Sequence, residues 1–159
     1  MNAGNPFNFS DDARLCLLQA RCESLHAGSR SLGPEHVVLG VIKTISPVLR
    51  GQLFHEPAQF HALCTALGSH PARAPLCTDD IIYLTEAEEA IAGGIQAAAE
   101  SGAETLVAPL HLLLGIHHPR SLIERTATTP SAVAAALTSV ELGAERLRLV
   151  LERVPAGRE

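Results

Sequence analysis

Pro34-Glu35-His36-Val37-Val38-Leu39-Gly40-Val41 and Pro109-Leu110-His111-Leu112-Leu113-Leu114-Gly115-Ile116 are two versions of one block. Each reads Pro-x-His, two apolar residues, Leu-Gly and a further apolar residue. They stand 75 residues apart, and the same shift, with no gap over 33 positions, places Phe9-Ser10 on Leu84-Thr85 and Ala27-Gly28 on Gly102-Ala103. A chain that matches itself in this way contains two copies of one structural unit.

Outward from the block, each copy reads as a short set of helices. Pro34 suits the first turn of a helix whose buried stripe is Val38, Val41, Ile42 and Ile45, at spacings of three and four. Upstream, Ser10 followed by Asp11 and Asp12 supplies an N-cap and an acidic first turn, and Leu15, Leu18, Cys22 and Leu25 recur at helical spacing until Gly28. Downstream, Ser46-Pro47 opens a third helix, and Glu56-Pro57 opens a fourth that Gly68 closes. Copy two follows the same plan: Thr85 caps a helix carrying Ala90, Ile91, Ile95 and Ala98, Pro109 opens the next, and Thr129-Pro130 opens one ending near Gly143. Gly93-Gly94 costs about 2 kcal/mol of helix propensity relative to two alanines, which a close helix crossing would explain.

These readings predict an all-α fold of two tandem pseudo-symmetric four-helix repeats packed as one globular domain over 1–159. Repeat 1 covers about 9–68, a Pro-containing linker 69–80, repeat 2 about 81–143, and an amphipathic C-terminal helix 144–154, with Leu147, Val150 and Leu151 on one side. Neither copy alone is large enough to bury more than a marginal fraction of its surface, so a shared core is expected.

Composition narrows the function classes. Of 159 residues, 47% are hydrophobic and 18% charged, too apolar for a disordered chain. Aromatics are 3%, which disfavours a β-sandwich. The net charge of −5 lacks the basic footprint of a nucleic-acid binder. The longest apolar runs, such as Val37 to Ile42 and Leu112 to Ile116, fall short of the roughly 20 residues a membrane span needs. The opening MNAGNPFNFS has neither a basic start nor an apolar core, so no secretory signal is read and a cytoplasmic location is expected. Cys16, Cys22, Cys64 and Cys77 form no CxxC pair and are expected to be free thiols; with the eight histidines they show no finger-like or ribbon-like spacing, so neither metal nor cofactor is expected.

The capped first helix and the Gly33-Pro34-Glu35-His36-Val37-Val38-Leu39-Gly40 block, present in tandem, resemble the N-terminal domain of Clp ATPase unfoldases of the ClpC-like kind. Phe9-Ser10-Asp11-Asp12-Ala13 is similar to that family's Phe-Thr-x-x-Ala opening, and the block to its Gly-Thr-Glu-His-apolar-Leu-Leu-Gly signature, over about 9–142. The resemblance implies a non-catalytic protein-interaction module without ATPase modules. It would act as an adaptor or accessory factor of a Clp chaperone-protease, with Clp ATPase or protease subunits, or substrate proteins, as partners. The alternative is a divergent Clp-like scaffold that binds an unrelated partner or small ligand and has no Clp role.

ClpC-like domains also recognise phosphoarginine, with the signature Glu taking the guanidinium and the hydroxyl residue that opens the first helix taking the phosphate, a chemistry suited to both groups. The resemblance therefore marks Ser10, Glu35 and Thr85 as candidate binding residues. Copy one keeps both parts, Ser10 and Glu35. Copy two keeps Thr85 but carries Leu110 in place of the Glu, and Asp12 and Pro34 depart from the family's usual residues. Glu35 also has a simpler role, since a carboxylate at a helix N-terminus favours the macrodipole.

Motifs for catalysis are not found. Gly40-Val41-Ile42-Lys43-Thr44 has the wrong glycine spacing for a phosphate loop. His55-Glu56 would need a histidine at 59, which is Gln59, to form a zincin helix. His117-His118 near Ser121 reads as solvated loop, and His36 and His111 as imidazoles that satisfy backbone groups at helix starts. The chain is not expected to be an enzyme.

Overall fold

Ser10 begins the first helix as its N-cap, its Oγ accepting from the Ala13 amide at 3.0 Å, and Gly28 ends it in the left-handed region at φ +77°. The computed structural model describes residues 9–28, 31–68, 82–102, 105–117 and 128–153. In order they form α1 (Asp11–His26), β1 (Ser31–Leu32), α2 (Pro34–Thr44), α3 (Pro47–Leu53), α4 (Pro57–Ala66), β2 (Ile82–Tyr83), α5 (Thr85–Ser101), α6 (Pro109–His117), α7 (Thr128–Ser139) and α8 (Ala144–Arg153). The fold is all-α, with eight helices among the described residues and two strands of two residues each. The linker read at 69–80 lies outside the described residues, as do His118, Ser121 and Cys77.

The two block helices are the centre. Every residue of α2 from His36 to Ile42 and of α6 from Pro109 to Ile116 is buried, because each packs on its own first helix and on the other block helix. A helix surrounded on all sides is apolar all round. One continuous cluster of buried side chains holds residues of both copies, including Leu39, Ile42, Leu112, Leu113, Leu137 and Leu147.

Both block glycines mark helix crossings. A Cβ on Gly40 would land on the Cys16 carbonyl and lie 2.8 Å from the Ala20 amide; one on Gly115 would land on the Ala90 carbonyl and lie 2.6 Å from the Gly94 amide. Gly94 itself crosses α6 so closely that a Cβ there would lie 2.8 Å from the His111 carbonyl, the close approach that the Gly93-Gly94 pair required. Such crossings admit only small residues, and this corrects the face expected for α1. Leu15 and Leu18 are 55% and 57% exposed, whereas Ala13, Cys16 and Ala20 face α2. Cys22 and Leu25 are half-buried. Likewise Ile95 is exposed, whereas Ala90 and Ala98 of the same expected stripe are buried, together with Ala87.

A short backbone ladder joins the copies. Phe9 bridges Val107, with the Ser10 amide donating to the Val107 carbonyl at 3.0 Å; β1 pairs with β2 in parallel, and the Leu84 amide donates to the Leu32 carbonyl at 2.9 Å. Each first helix thus starts beside the block of the other copy. The pairing also corrects the gapless repeat. Phe9 is the counterpart of Tyr83 and Ser10 of Leu84, a shift of 74, while Leu32 and Val107, like Gly40 and Gly115, keep 75. The extra residue falls between Gly102 and Val107, since Gly28 and Gly102, both at positive φ, still match at the shorter shift. Consequently Thr85 does not cap α5: Leu84 is the N-cap, without a side-chain cap bond, and Thr85 is the first helical residue.

The remaining elements close the core. Ser46 caps α3, accepting from the Leu49 amide at 3.2 Å, and Gly68 at φ +78° follows α4. Arg50 donates to the Ile42 carbonyl at 3.1 Å and lies 4.4 Å from the Phe60 ring centre, tying α2, α3 and α4 together. The helix expected to run to near Gly143 stops at Ser139, and Glu141 at φ +66°, not the glycine, takes the left-handed turn. On α8, Leu147 and Val150 are buried, Leu151 packs against the core, and Arg146 donates to the Gln52 carbonyl at 2.8 Å. No helix among the described residues is long and apolar enough to cross a membrane.

Candidate functional site

The ladder creates two related junctions with different chemistry. At the first, the Gly33 amide donates to His36 Nδ1 at 3.0 Å, which holds the imidazole under the start of α2. Glu35 turns its carboxylate back over Gly33, so that a Cβ there would lie 2.6 Å from Oε1, and Oε2 is 4.0 Å from His36 Nε2. The Glu35 side chain is 36% exposed. Ile82 and Leu84, on the paired segment from copy two, are 66% and 39% exposed. The ladder thus pairs the segment that leads into the Glu35 helix with one that carries two solvent-facing apolar side chains, an arrangement that suits a polypeptide with a cation and an apolar residue.

At the second junction the Ala108 amide donates to His111 Nδ1 at 2.9 Å, the same arrangement in the other copy. Leu110, buried, stands where Glu35 stands in copy one, so no carboxylate is offered. Ser10 belongs to this junction through Val107, its Oγ engaged by Ala13. Ser10 and Glu35 are therefore placed by the ladder beside different blocks, and Thr85, exposed, follows Leu84 on the Glu35 side.

Both block histidines act as backbone acceptors at helix starts, as expected from their positions. The consequence is titratable for His111, whose pKa is pushed down by burial. Because Nδ1 must remain unprotonated to accept from Ala108, the unfolded chain binds the proton more readily than the folded one. The stabilisation is complete above the ordinary histidine value and is lost as pH falls from there through the lower folded value. Urea midpoints measured from pH 7.5 to 5 should fall more steeply for the native chain than for His111→Asn, whose side-chain oxygen can still accept.

The other polar groups are structural. His117, read as loop, instead donates from Nε2 to the Leu142 carbonyl at 2.8 Å and ties α6 to the turn before α8. The Cys16 thiol lies 3.0 Å from Thr44 Oγ1, and burial is the main cause that pushes the Cys64 thiol up, the opposite of nucleophile activation. Among the described residues no three His, Cys, Asp or Glu side chains cluster as metal ligands. Sequence reasoning missed Glu23, whose carboxylate is buried and takes Lys43 Nζ at 3.1 and 3.0 Å and Gln19 Nε2 at 2.8 Å. The signal was available: an acid one turn from the end of α1 falls on the same face as Cys16 and Ala20.

Solved structures share this shape, two of them as follows. One, from structural work on a malarial protein secretion system, has a TM-score of 0.66 and 22% identity, covering 92% of this chain and 93% of that one. The other is the N-terminal domain of the caseinolytic protease associated chaperone ClpD from Arabidopsis thaliana, with a TM-score of 0.60 and 13% identity over 92% of this chain and 96% of that one. The fold is Clp N-domain-like. No protein-family profile and no curated protein matches the sequence. The Clp N-domain-like fold agrees with the resemblance carried by the tandem blocks, and at these identities what is shared is the backbone path. The side chains at the two junctions belong to this chain and must be read for themselves.

Proposed function

We propose that the protein is a non-catalytic protein-interaction module, which acts as an adaptor or accessory factor of a Clp chaperone-protease in the cytoplasm. The observation that carries this reading is the similarity to a ClpD N-terminal domain over nearly the whole chain, joined to a solvent-facing site at the copy junction. In this reading Glu35 takes a cationic group of the partner or client, and Ile82 and Leu84 take an adjoining apolar side chain. Ser10 and Thr85 are the hydroxyls through which a phosphorylated guanidinium would be tested, Thr85 at the start of α5 and Ser10 at the other junction.

The experiment is capture from the native lysate with the tagged full chain, alongside Glu35→Ala. Recovery of a Clp ATPase or protease subunit is the expected result, with a discrete client set that is lost in the variant. Recovery of neither would end the adaptor reading. Client recovery unchanged by Glu35→Ala would move the client site elsewhere. A fluorescence titration comparing arginine and phosphoarginine in one peptide then decides whether the phosphate contributes.

A further inference from the structure

Away from both junctions, α5 and α8 border an open trough of about 490 Å³. Its α5 wall is Gly93, Gln96, Ala97, Glu100 and Ser101, and its α8 wall Arg148, Leu151 and Glu152, with Leu114 of α6 at the base. The α5 residues recur at spacings of three and four, so the trough follows one helix face for two turns, about 12 Å at 1.5 Å per residue. That length matches about four residues of extended chain.

Three features say what belongs there. Gly94 is required by the crossing with α6, and its neighbour Gly93, itself buried, lines the trough without a side chain. Second, among the described lining residues the buried Leu114 and the half-buried Ala97 and Leu151 are apolar, while the exposed ones include the carboxylates Glu100 and Glu152 and one guanidinium, Arg148. Third, Glu100 stands in the last turn of α5, a turn that contains no basic residue. A carboxylate at a helix C-terminus opposes the macrodipole, a local cost that a cation at that place would reverse.

We propose that this trough is a second binding surface, which takes an extended basic polypeptide segment. An apolar side chain of that segment rests on Leu114 and Leu151, and its Lys or Arg lies between Glu100 and Glu152. The proposal does not depend on a Clp role, and it concerns a surface distinct from the Glu35 junction.

The test is an NMR titration of the full chain with acetyl-Leu-Arg-Leu-Arg-amide, against acetyl-Leu-Glu-Leu-Glu-amide as the acidic counterpart. The basic peptide should give saturable shifts at residues 93–101, 114 and 148–152, weakened as salt rises because exposed charges are screened. Replacing both carboxylates, Glu100→Gln with Glu152→Gln, should weaken binding by about fivefold or more. Gly93→Leu should abolish it, and Glu35→Ala should leave it unchanged, which separates this surface from the junction. If Gly93→Leu does not fold, the double Gln variant decides. No saturable shift at residues 93–101, 114 and 148–152 at millimolar peptide, or equal shifts there with the acidic peptide, would each overturn the proposal, whatever shifts arise at the Glu35 junction.

Discussion

Gly115→Val is expected to leave the protein unfolded, or destabilised by at least about 4 kcal/mol, a size reserved for changes that the core cannot absorb. A Cβ at this position meets the Ala90 carbonyl and the Gly94 amide, which are backbone atoms of the facing helix, so no rotamer change can make room. The helices would have to separate, and with them the small-residue faces Ala87, Ala90 and Ala98 would lose their packing against α6. Gly40→Val should behave in the same way against Cys16 and Ala20. Gly51 is the control. It lies exposed within α3, and a Cβ added there would meet nothing within 4 Å, so Gly51→Ala should stabilise by about 0.5–1 kcal/mol through helix propensity and the unfolded chain. Urea denaturation followed by circular dichroism measures all three. A Gly115→Val variant of native stability would show that α5 and α6 do not cross as described.

Lys43→Met is expected to cost about 2–4 kcal/mol, read as a lower urea midpoint with an unchanged slope. Glu23 is 2% exposed and Lys43 25% exposed, so the substitution strands a buried carboxylate that keeps the Gln19 amide but has lost its cation. The partial exposure of Lys43 places the effect toward the lower part of the range measured for breaking buried pairs. Combining Lys43→Met with Glu23→Leu should recover most of the loss, because the desolvation of both charges is then removed. A double variant no more stable than Lys43→Met alone would mean that the carboxylate is not the cause. The comparison is informative because the pair joins α1 to α2, the same contact that Gly40 brings close.

The helix plan was legible because its signals are local. Ser10 and Ser46 as caps, Pro34, Pro47, Pro57 and Pro109 at first turns, and Gly28 and Gly68 at ends all act within a few residues of themselves. The buried stripe of α2 was legible too, although a helix buried on every side gives no contrast to choose between. The face of α1 was not. Leu15 and Leu18 have the larger apolar side chains, and hydrophobicity alone selects them, but the crossing at Gly40 leaves space only for Ala13, Cys16 and Ala20. That choice depends on the distance between two helices, which no property of either helix alone contains. The candidate site was legible in part: Glu35 stood out through its block, whereas Ile82 and Leu84 did not, because their exposure follows from pairing with Ser31 and Leu32 of the other copy.

By itself, then, the sequence determined that this chain is two copies of a helical unit, each with a Pro-x-His block that opens a helix and whose histidine satisfies a backbone group there. Those features repeat because each copy must solve the same local problem. Only the tertiary structure decided how the copies meet. The ladder sets Ser10 beside Val107 and Leu84 beside Leu32, and in doing so shows that one extra residue before Val107 puts Leu84, and not Thr85, in the capping position. A shift of one residue changes the score of a sequence match very little. In a hydrogen-bonded ladder it changes which side chain caps the helix and which faces solvent, because pairing is fixed residue by residue and successive side chains point to opposite sides.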